Sequence, residues 1–344
     1  VDFNRAGAPL MELVTKPVLH SAEDVIMFAR ELQLLLRYLG AGDANIEKGQ
    51  MRVEVNLSVS KTDELGTKVE VKNIGSIASA GKAVEYEVAR QIAALENGET
   101  LVQETRGWDE QSQSTFSQRS KENAKDYRYF PEPDLPKLYL HDIFDLEKMK
   151  SELPELAWQK RERYTNNFGI KNEDIEFYIN NREYADFFEA VISEFYSEND
   201  NYKKMIINSS NIITSTLVGI SKTTEFKDKN IFEKLEFFSF VKLIEMNTEG
   251  LISSSAVSEI LRELAINGGD TESIANERGL IQNNDSDALK TIVQSIIDAN
   301  PNQVAEYKTG KDTLIKFFVG MGMKETKGAG NPQILTELFT ELLK

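Results

Sequence analysis

Two stretches of alternating residues could place charged and amide side chains together on one face of a sheet. In "MRVEVNLSVS" apolar residues occupy every second position from Met51 to Val59, which is typical of a half-buried antiparallel strand. "TKVEVKN" alternates in the same way after a short connection, so the two stretches predict a hairpin. The polar face of this hairpin would carry Arg52, Glu54, Asn56, Lys68, Glu70 and Lys72.

Two interpretations of this polar face are open. Opposite charges on neighbouring strands stabilise a solvated face modestly, which explains the pattern without any function. Alternatively, the face is concave and binds an anionic ligand, because lysine and arginine suit phosphate, whereas asparagine and glutamate suit a metal ion and its waters. On the second interpretation the candidate catalytic residues are Arg52, Glu54, Asn56, Glu70 and Lys72.

Glu12 is a carboxylate inside the apolar stretch "PLMELV", which the pattern predicts to be a strand from Pro9 to Val14. Burying a carboxylate costs free energy unless the group is paired or bound to a metal. One explanation is a structural ion pair, for instance with Arg5 or Arg52. The other is a ligand of a hard cation, since Mg²⁺ is typically held by one or two carboxylates together with phosphate and water.

A cluster of lysines near the C-terminus is a local basic feature of an acidic chain. Between Tyr307 and Lys327 five lysines stand against two acids, although the whole chain has a net charge of −16. In "KGAGNPQ", Asn331 is predicted to cap a helix that begins at Pro332. Amides at a helix start can accept phosphate, so both an RNA-backbone contact and an ordinary solvated helix face fit the pattern. The candidate RNA-binding residues are Lys308, Lys311, Lys316, Lys324, Lys327 and Asn331.

The composition excludes several kinds of chemistry. The 344 residues include no cysteine and two histidines, which excludes disulfides, zinc thiolates and thiol nucleophiles and disfavours a histidine-rich metal site. Neither a GxxxxGKS/T phosphate loop nor a GxGxxG fingerprint occurs. Apolar runs are far shorter than the roughly 18–20 residues of a membrane span, and the net charge argues against wholesale nucleic-acid binding. We therefore expect neither a membrane nor DNA as a partner.

The order of the predicted elements indicates an α+β protein of two or three domains. Before residue 142, strands mix with a helix capped by Ser21 and closed by Gly40, and with a second helix from about Ser79 to Glu96. After residue 142 amphipathic helical patterns replace the strands. We therefore predict a sheet domain (1–142), an all-α helical domain (143–275) and a small helical tail domain (276–344).

The stretch "DYRYFPEPDLP", from Asp126 to Pro136, would close the sheet domain. Prolines keep the residues before them extended, so we predict a strand that ends in a rigid exit towards the helical region. Alternation sends Tyr127 and Tyr129 to one side and Arg128 to the other. For the tyrosines packing is favoured over base stacking, and Arg128 is a candidate clamp for phosphate or carboxylate.

Together these stretches resemble one protein family, the B subunit of the tRNA-dependent amidotransferase that acts on Asp-tRNA(Asn) and Glu-tRNA(Gln). The resemblance covers essentially the whole chain and is strongest in residues 1–140 and 315–335. It implies a cradle-like domain with a mixed or antiparallel sheet, truncated at its N-terminus, followed by helical and tail domains. The motifs are "VDFNRAGAPLMELVTKP", "LLLRYLGAGDANIEKGQMRVEVNLSV", "GTKVEVKNIGSIAS", "EYEVARQI", "QETRGWDE", "DYRYFPEPDLP" and "FVGMGMKETKGAGNPQ".

The resemblance also implies a function. In this family the A subunit releases ammonia from glutamine, and the B subunit uses ATP and Mg²⁺ to phosphorylate the side-chain carboxylate of tRNA-bound Glu or Asp. Ammonia then displaces the phosphate, a small C subunit wraps A and B together, and the tail domain binds tRNA. The expected cofactors are thus ATP and Mg²⁺, and the expected partners are the A and C subunits and tRNA(Gln) or tRNA(Asn). The expected location is a bacterial-type cytoplasm, or a mitochondrion or chloroplast in a eukaryote.

Individual residues follow from the same resemblance. Glu12 matches a glutamate of the family's metal-site motif, whereas Glu54 stands where the family usually has aspartate. The family's "GLEVH" metal motif is expected ahead of Val1, so we expect this chain alone to lack a complete metal site and to be inactive. The alternative function is a catalytically incomplete scaffold that binds tRNA. The other matched positions are Arg52, Asn56, Glu70, Lys72 and Asn73.

Overall fold

The computed structural model describes residues 4, 8–120, 135–195, 201–227, 229–282, 286–326 and 329–343, with the backbone alone at 119 and 120. Its contacts divide the chain into two compact units, Val1–Ala157 and Trp158–Lys344. The first unit contains the sheet and the second is helical, so the predicted α+β class is confirmed. The two boundaries between the three predicted domains stay predictions.

The sheet of the first unit is mixed. Its strands are β1 (Val53–Leu57), β2 (Val69–Ile74), β3 (Glu104–Asp109) and β4 (Ser114–Ser120), in the order β1-β2-β3-β4. β1 and β2 form the predicted antiparallel hairpin, β3 lies parallel to β2, and β4 lies antiparallel to β3. A parallel pair needs a crossover connection, and the helix α2 (Ile77–Glu96) provides it.

Capping side chains set the ends of the two long helices. The Ser21 side chain accepts a hydrogen bond from the Asp24 N–H at 3.0 Å and starts α1 (Ala22–Tyr38), as predicted. Gly40, with φ of +67°, follows the end of α1. α2 begins two residues before the predicted Ser79, because Ser76 is its cap.

The core of the first unit lies between the sheet and α2. We call the face of the sheet that packs on α2 the inner face, and the opposite face the outer face. Alternation along β1 and β2 directs the valines inward and the polar side chains outward, which confirms the predicted pattern. The buried core residues are Val55, Val69, Val71, Ile74, Ala80, Ala83, Val84 and Trp108.

The predicted strand from Pro9 to Val14 is wrong. Residues 8–16 have no regular secondary structure, and the side chains there are exposed, up to 93% at Leu10. A strand needs a neighbour to pair its backbone N–H and C=O groups, and none of the four described strands pairs with this stretch. The predicted strand within residues 126–136 lies mostly outside the described residues.

Short helices connect and build the rest of the chain. The helix α11 (Ser254–Asn267) ends before two glycines, and the helix α12 (Thr271–Glu277) ends two residues before a third glycine, Gly279. Two segments are π-helical, Tyr164–Phe168 and Ile212–Leu217, and two are 3₁₀-helical, Thr224–Phe226 and Asp312–Leu314. The α-helices are α3 (Leu140–Ile143), α4 (Leu146–Ser151), α5 (Ala157–Arg163), α6 (Asn172–Asn180), α7 (Arg182–Ser193), α8 (Tyr202–Asn211), α9 (Val218–Ser221), α10 (Phe237–Thr248), α11 (Ser254–Asn267), α12 (Thr271–Glu277), α13 (Ser286–Ala299), α14 (Pro301–Lys308), α15 (Ile315–Glu325) and α16 (Pro332–Leu342).

Candidate functional site

The outer face of the sheet brings together most of the predicted catalytic residues. The Lys72 ammonium lies 2.8 Å from a carboxylate oxygen of Glu54 and 3.4 Å from one of Glu70. Thr105, on β3, donates a hydrogen bond of 2.8 Å to Glu70. Asn56 pairs directly opposite Glu70 in the strand register. We call Glu54, Asn56, Glu70, Lys72 and Thr105 the outer cluster.

Lys72 is the central charge of the outer cluster. The hydrogen bond to Glu54 is the main cause that raises the pKa of Lys72, although partial burial opposes it. The ammonium therefore stays protonated well above neutral pH. A lysine ammonium has three N–H donors, and Glu54 and Glu70 engage two of them. The Lys72 side chain is 34% exposed, so an anionic ligand can approach the third donor.

Arg52 lies at the entrance to β1 and is exposed. Alternation puts it on the same side of the strand as Glu54 and Asn56. The five predicted catalytic residues of the hairpin therefore share the outer face. Their catalytic roles stay predictions.

A glycine in β3 shapes the outer face, and sequence reasoning missed it. Gly107 pairs with Lys72 on one side and with Phe116 on the other. A Cβ atom on Gly107 would lie 2.5 Å from Cζ of Phe116 and 2.6 Å from Nε2 of Gln118. The missing side chain thus lets the Phe116 ring lie across β3 while the ring remains 45% exposed.

A second charged cluster, on the inner face, was also missed. Glu87 on α2 is fully buried and lies 2.5 Å from Nη2 of Arg90 and 3.4 Å from Nε of Arg106. It also accepts hydrogen bonds from Gln91 at 3.1 Å and from Thr115 at 2.8 Å. We call these five residues the inner cluster. The motif "EYEVARQI" holds three of them at helical spacing, which is the signal that could have indicated a shared helix face.

Burial and hydrogen bonding shift the pKa of Glu87 in opposite directions. Burial on its own raises the pKa of the carboxyl, because it penalises the charged form. The hydrogen bonds from Arg90, Gln91 and Thr115 outweigh burial, and the net shift of the Glu87 pKa is downward. The inner cluster therefore holds an ionised carboxylate whose oxygens are already engaged inside the protein.

Glu12 and Arg128 are the two remaining predicted residues of the sheet domain. Glu12 lies in the exposed stretch before α1. Arg128 lies outside the described residues. Among the described residues, no group of three or more histidine or carboxylate side chains is arranged to hold a metal ion. The outer cluster does not fit Mg²⁺ as it stands, because Lys72 is paired with both of its carboxylates.

The predicted RNA-binding lysines of the second unit are exposed where the structure describes them. Lys316 and Lys324 lie about two turns apart on α15, and therefore on similar sides of the helix. Lys308 is in the last turn of α14, and Lys311 pairs with Glu306 at 2.7 Å. Lys327 lies outside the described residues. Their contact with RNA stays a prediction.

Asn331 is the exception in this predicted set, because it is 8% exposed. Its side-chain oxygen accepts a hydrogen bond from the Gln333 N–H at 2.9 Å, which confirms the predicted cap of α16. Its amide group donates to the Gly250 carbonyl at 3.1 Å. Both ends of the Asn331 side chain are thus used within the second unit. Its proposed RNA contact stays a prediction.

Comparisons with known proteins cover both units. A family model described as "GatB/GatE catalytic domain" matches residues 1–144, and one described as "GatB domain" matches residues 186–343. The whole chain is 40% identical, over 347 aligned residues, to the B subunit of the aspartyl/glutamyl-tRNA(Asn/Gln) amidotransferase of Picosynechococcus sp. and covers 68% of that protein. The chain belongs to the family of amidotransferase B subunits.

Other members of this family give the same picture. The B subunits from Crocosphaera subtropica and Thermodesulfovibrio yellowstonii, which carry the same amidotransferase name, are 39% and 37% identical to the whole chain, which covers 68% and 70% of them. Both clusters of the sheet lie within the catalytic-domain match, whereas Asn331 and the exposed lysines lie within the second match. Within the part of the chain that the structure describes, no helix is long and apolar enough to cross a membrane.

Proposed function

We propose that this chain activates the side-chain carboxylate of tRNA-bound Glu, tRNA-bound Asp, or both, within a multi-subunit amidotransferase. The observation that carries this proposal is the 37–40% identity over the full chain to proteins named as B subunits of the aspartyl/glutamyl-tRNA(Asn/Gln) amidotransferase. The outer cluster supports it, because a carboxylate substrate and a phosphate donor both need positive charge.

The proposed reaction has two steps. In the first, a carboxylate oxygen of the aminoacyl side chain forms a bond to the γ-phosphorus of ATP, and the bond to the β,γ-bridging oxygen breaks to release ADP. In the second, ammonia attacks the carbonyl carbon of the acyl phosphate. The carbon–oxygen bond to phosphate breaks, a proton leaves the nitrogen, and the amide and inorganic phosphate remain.

The chain's own residues have distinct roles in this proposal. Phosphoryl transfer depends on positioning and on neutralising charge, and Lys72 offers a protonated ammonium on an open face. Glu54 and Glu70 orient that ammonium, and Thr105 orients Glu70. Arg52 adds a second cation at the start of β1.

ATP and Mg²⁺ are part of the proposal. Mg²⁺ would neutralise phosphate charge. The described residues do not form a site for it, and the roles of Lys72 and Arg52 are therefore assigned to their own positive charge. The proposed partners are an A subunit that supplies ammonia from glutamine, a small C subunit, and tRNA(Gln) or tRNA(Asn). The bacterial-type cytoplasmic location stays a prediction.

The test is an amidation assay with the assembled complex. The chain is combined with A and C subunits, and ATP- and glutamine-dependent conversion of Glu-tRNA(Gln) and Asp-tRNA(Asn) is measured. Replacing Lys72 by Met keeps the length of the side chain and removes its charge. We expect amidation to fall about 100- to 1000-fold, the typical loss when one stabilising donor is removed from an active site. Full activity of Lys72→Met would contradict the role of the outer cluster.

A second candidate function is favoured by the misfit of the described residues to a metal site. In that case the chain is a scaffold that binds tRNA and does not itself perform phosphoryl transfer. Assay of the chain without partner subunits tests the scaffold interpretation, for which we expect no ATP-dependent phosphorylation of Glu-tRNA. Measurable phosphorylation by the isolated chain would refute the scaffold interpretation.

The exposed lysines give a test that both candidate functions share. We expect charge reversal at Lys311 and Lys324 to weaken tRNA binding and to flatten its dependence on salt, because fewer counterions are released. Charge reversal at Lys203 and Lys222, two lysines that lie outside the predicted tail, is the matched control. Unchanged tRNA affinity and salt dependence would exclude a role for the tail lysines.

A further inference from the structure

Asn331 connects two groups of helices in the second unit. Its Oδ1 accepts the Gln333 N–H at 2.9 Å and so caps α16, whereas its Nδ2 donates to the Gly250 carbonyl at 3.1 Å, 81 residues earlier in the chain. One buried side chain therefore links the start of the last helix to the turn that follows α10.

The turn at Gly250 is shaped to receive this side chain. Gly250 has φ of +71°, in the left-handed region that favours glycine. A Cβ atom there would lie 2.7 Å from Nδ2 of Asn331, and the atom that it meets belongs to a side chain held at both ends. The absence of a side chain at Gly250 is thus needed for the contact.

Backbone contacts tie the segment that follows α12 to the same turn after α10. The Gln282 N–H donates to the Leu251 carbonyl at 2.7 Å. Ile252 and Ile281 form an isolated antiparallel bridge. Ile252 and Gln282 are buried, so the turn that receives Asn331 is itself held in place by packing and hydrogen bonds.

We infer that Asn331 is a positioning residue, which with Gly250 fixes helices α13–α16 against helices α10–α12. The exposed lysines Lys308, Lys311, Lys316 and Lys324 lie on or between α14 and α15, so the junction also fixes where these lysines stand relative to α10–α12. The effect on tRNA binding rests on the proposed function. The geometry of the junction is independent of that function.

Two variants disturb the contact between Asn331 and Gly250 while a side-chain oxygen still caps α16. Asn331→Ser keeps a good capping oxygen for α16 and removes the donor to Gly250. Gly250→Ala disturbs the same contact by placing a Cβ atom 2.7 Å from Nδ2 of Asn331. Gly279→Ala is the matched control, since Gly279 has φ of +64° but open space around the added Cβ atom. Gly279→Ala therefore measures the effect of an alanine with positive φ whose side chain meets no neighbour.

The distance between labels on α11 and α16 tests the geometry of the junction directly. The chain has no cysteine, so labels can be attached at Ser258→Cys on α11 and Thr336→Cys on α16, two exposed positions. With paired spin labels we expect a narrow distance distribution for the parent chain and Gly279→Ala. We expect a broadened or shifted distribution for Asn331→Ser and Gly250→Ala. The same distribution in all four proteins would overturn the inference.

Kinetics with the assembled complex test the consequence for tRNA. We expect Asn331→Ser to raise KM for tRNA about 3- to 10-fold, the equivalent of roughly one hydrogen bond, with kcat little changed. A changed distance distribution with an unchanged KM would overturn the positioning role. If the parent complex does not amidate tRNA, the proposed function fails, and the distance measurement still decides the geometry.

Discussion

The two faces of the same sheet carry two carboxylate clusters with opposite surroundings. In the outer cluster Glu54 and Glu70 share one ammonium, and the Glu54 and Lys72 side chains are 42% and 34% exposed. In the inner cluster Glu87 is fully buried and is contacted by two arginines, an amide and a hydroxyl. Each cluster pairs carboxylate groups with cationic side chains, yet the two differ in how much of their hydrogen-bonding capacity is left for a ligand.

This contrast in burial indicates which cluster takes part in function. A buried charge is tolerated only when its partners are complete, so the inner cluster contributes to the fold and offers little to a ligand. An exposed ion pair contributes little to stability, so its residues can exchange partners when a ligand arrives. We therefore expect variants of the inner cluster to change mainly the unfolding free energy and variants of the outer cluster to change mainly the amidation activity.

The largest expected effect comes from the inner cluster. Replacing Glu87 by Ala removes the carboxylate that Arg90 and Arg106 share, while Arg106 keeps Glu104 at 2.7 Å. We expect the unfolding free energy to fall by about 3 kcal/mol, the lower end of the cost of breaking a buried ion pair. Urea unfolding followed by the fluorescence of buried Trp108 measures it, in a Trp158→Phe background that removes the exposed second tryptophan. A loss below about 1 kcal/mol, as for a surface pair, would show that the inner cluster stabilises the fold no more than an exposed ion pair does.

Acid should weaken the inner cluster in a defined direction. Since the pKa of Glu87 is lowered in the folded protein, its contribution is present above the unfolded pKa, about 4.3, and is lost as pH falls through the folded value. The charges that face it are the guanidinium groups of Arg90 and Arg106. Each unit of pKa difference corresponds to about 1.4 kcal/mol.

Glu87→Gln isolates this acid dependence from that of other carboxylates. The pKa values of Asp24, Asp109 and Glu110 in the same unit are also lowered, so the parent chain loses stability in acid for several reasons. We expect the unfolding free energy of Glu87→Gln to depend less steeply on pH below about 4.5. Parallel curves for the two proteins would show that Glu87 carries no such contribution.

Local patterns predicted the outer face but not the inner cluster. Period-two alternation determines which residues of β1 and β2 share a face, and caps such as Ser21 and Asn331 act within a few residues of their own helix. Glu87 could not be predicted in the same way. Its partners Arg106 and Thr115 come from strands whose placement against α2 depends on the whole unit.

A strand that lacks alternation of apolar and polar residues is also difficult to predict from the sequence. β4 was not predicted, because "STFSQRS" has no alternation of apolar and polar residues. The stretch from Pro9 to Val14 shows the reverse error: its composition suits a strand, but no described strand lies beside it. Strand formation is set by the neighbour as much as by the sequence.

The smallest expected effect is the stability contributed by the outer pair. A double-mutant cycle of Glu54→Gln and Lys72→Met should give a coupling of about 0.2–1 kcal/mol in unfolding free energy, because water screens both groups. The same Lys72→Met protein is expected to lose most of its amidation activity. A coupling of 2 kcal/mol or more, about twice the upper value for exposed pairs, would mean that the pair is part of the fold. The contrast between the two faces would then lie in exposure alone and not in function.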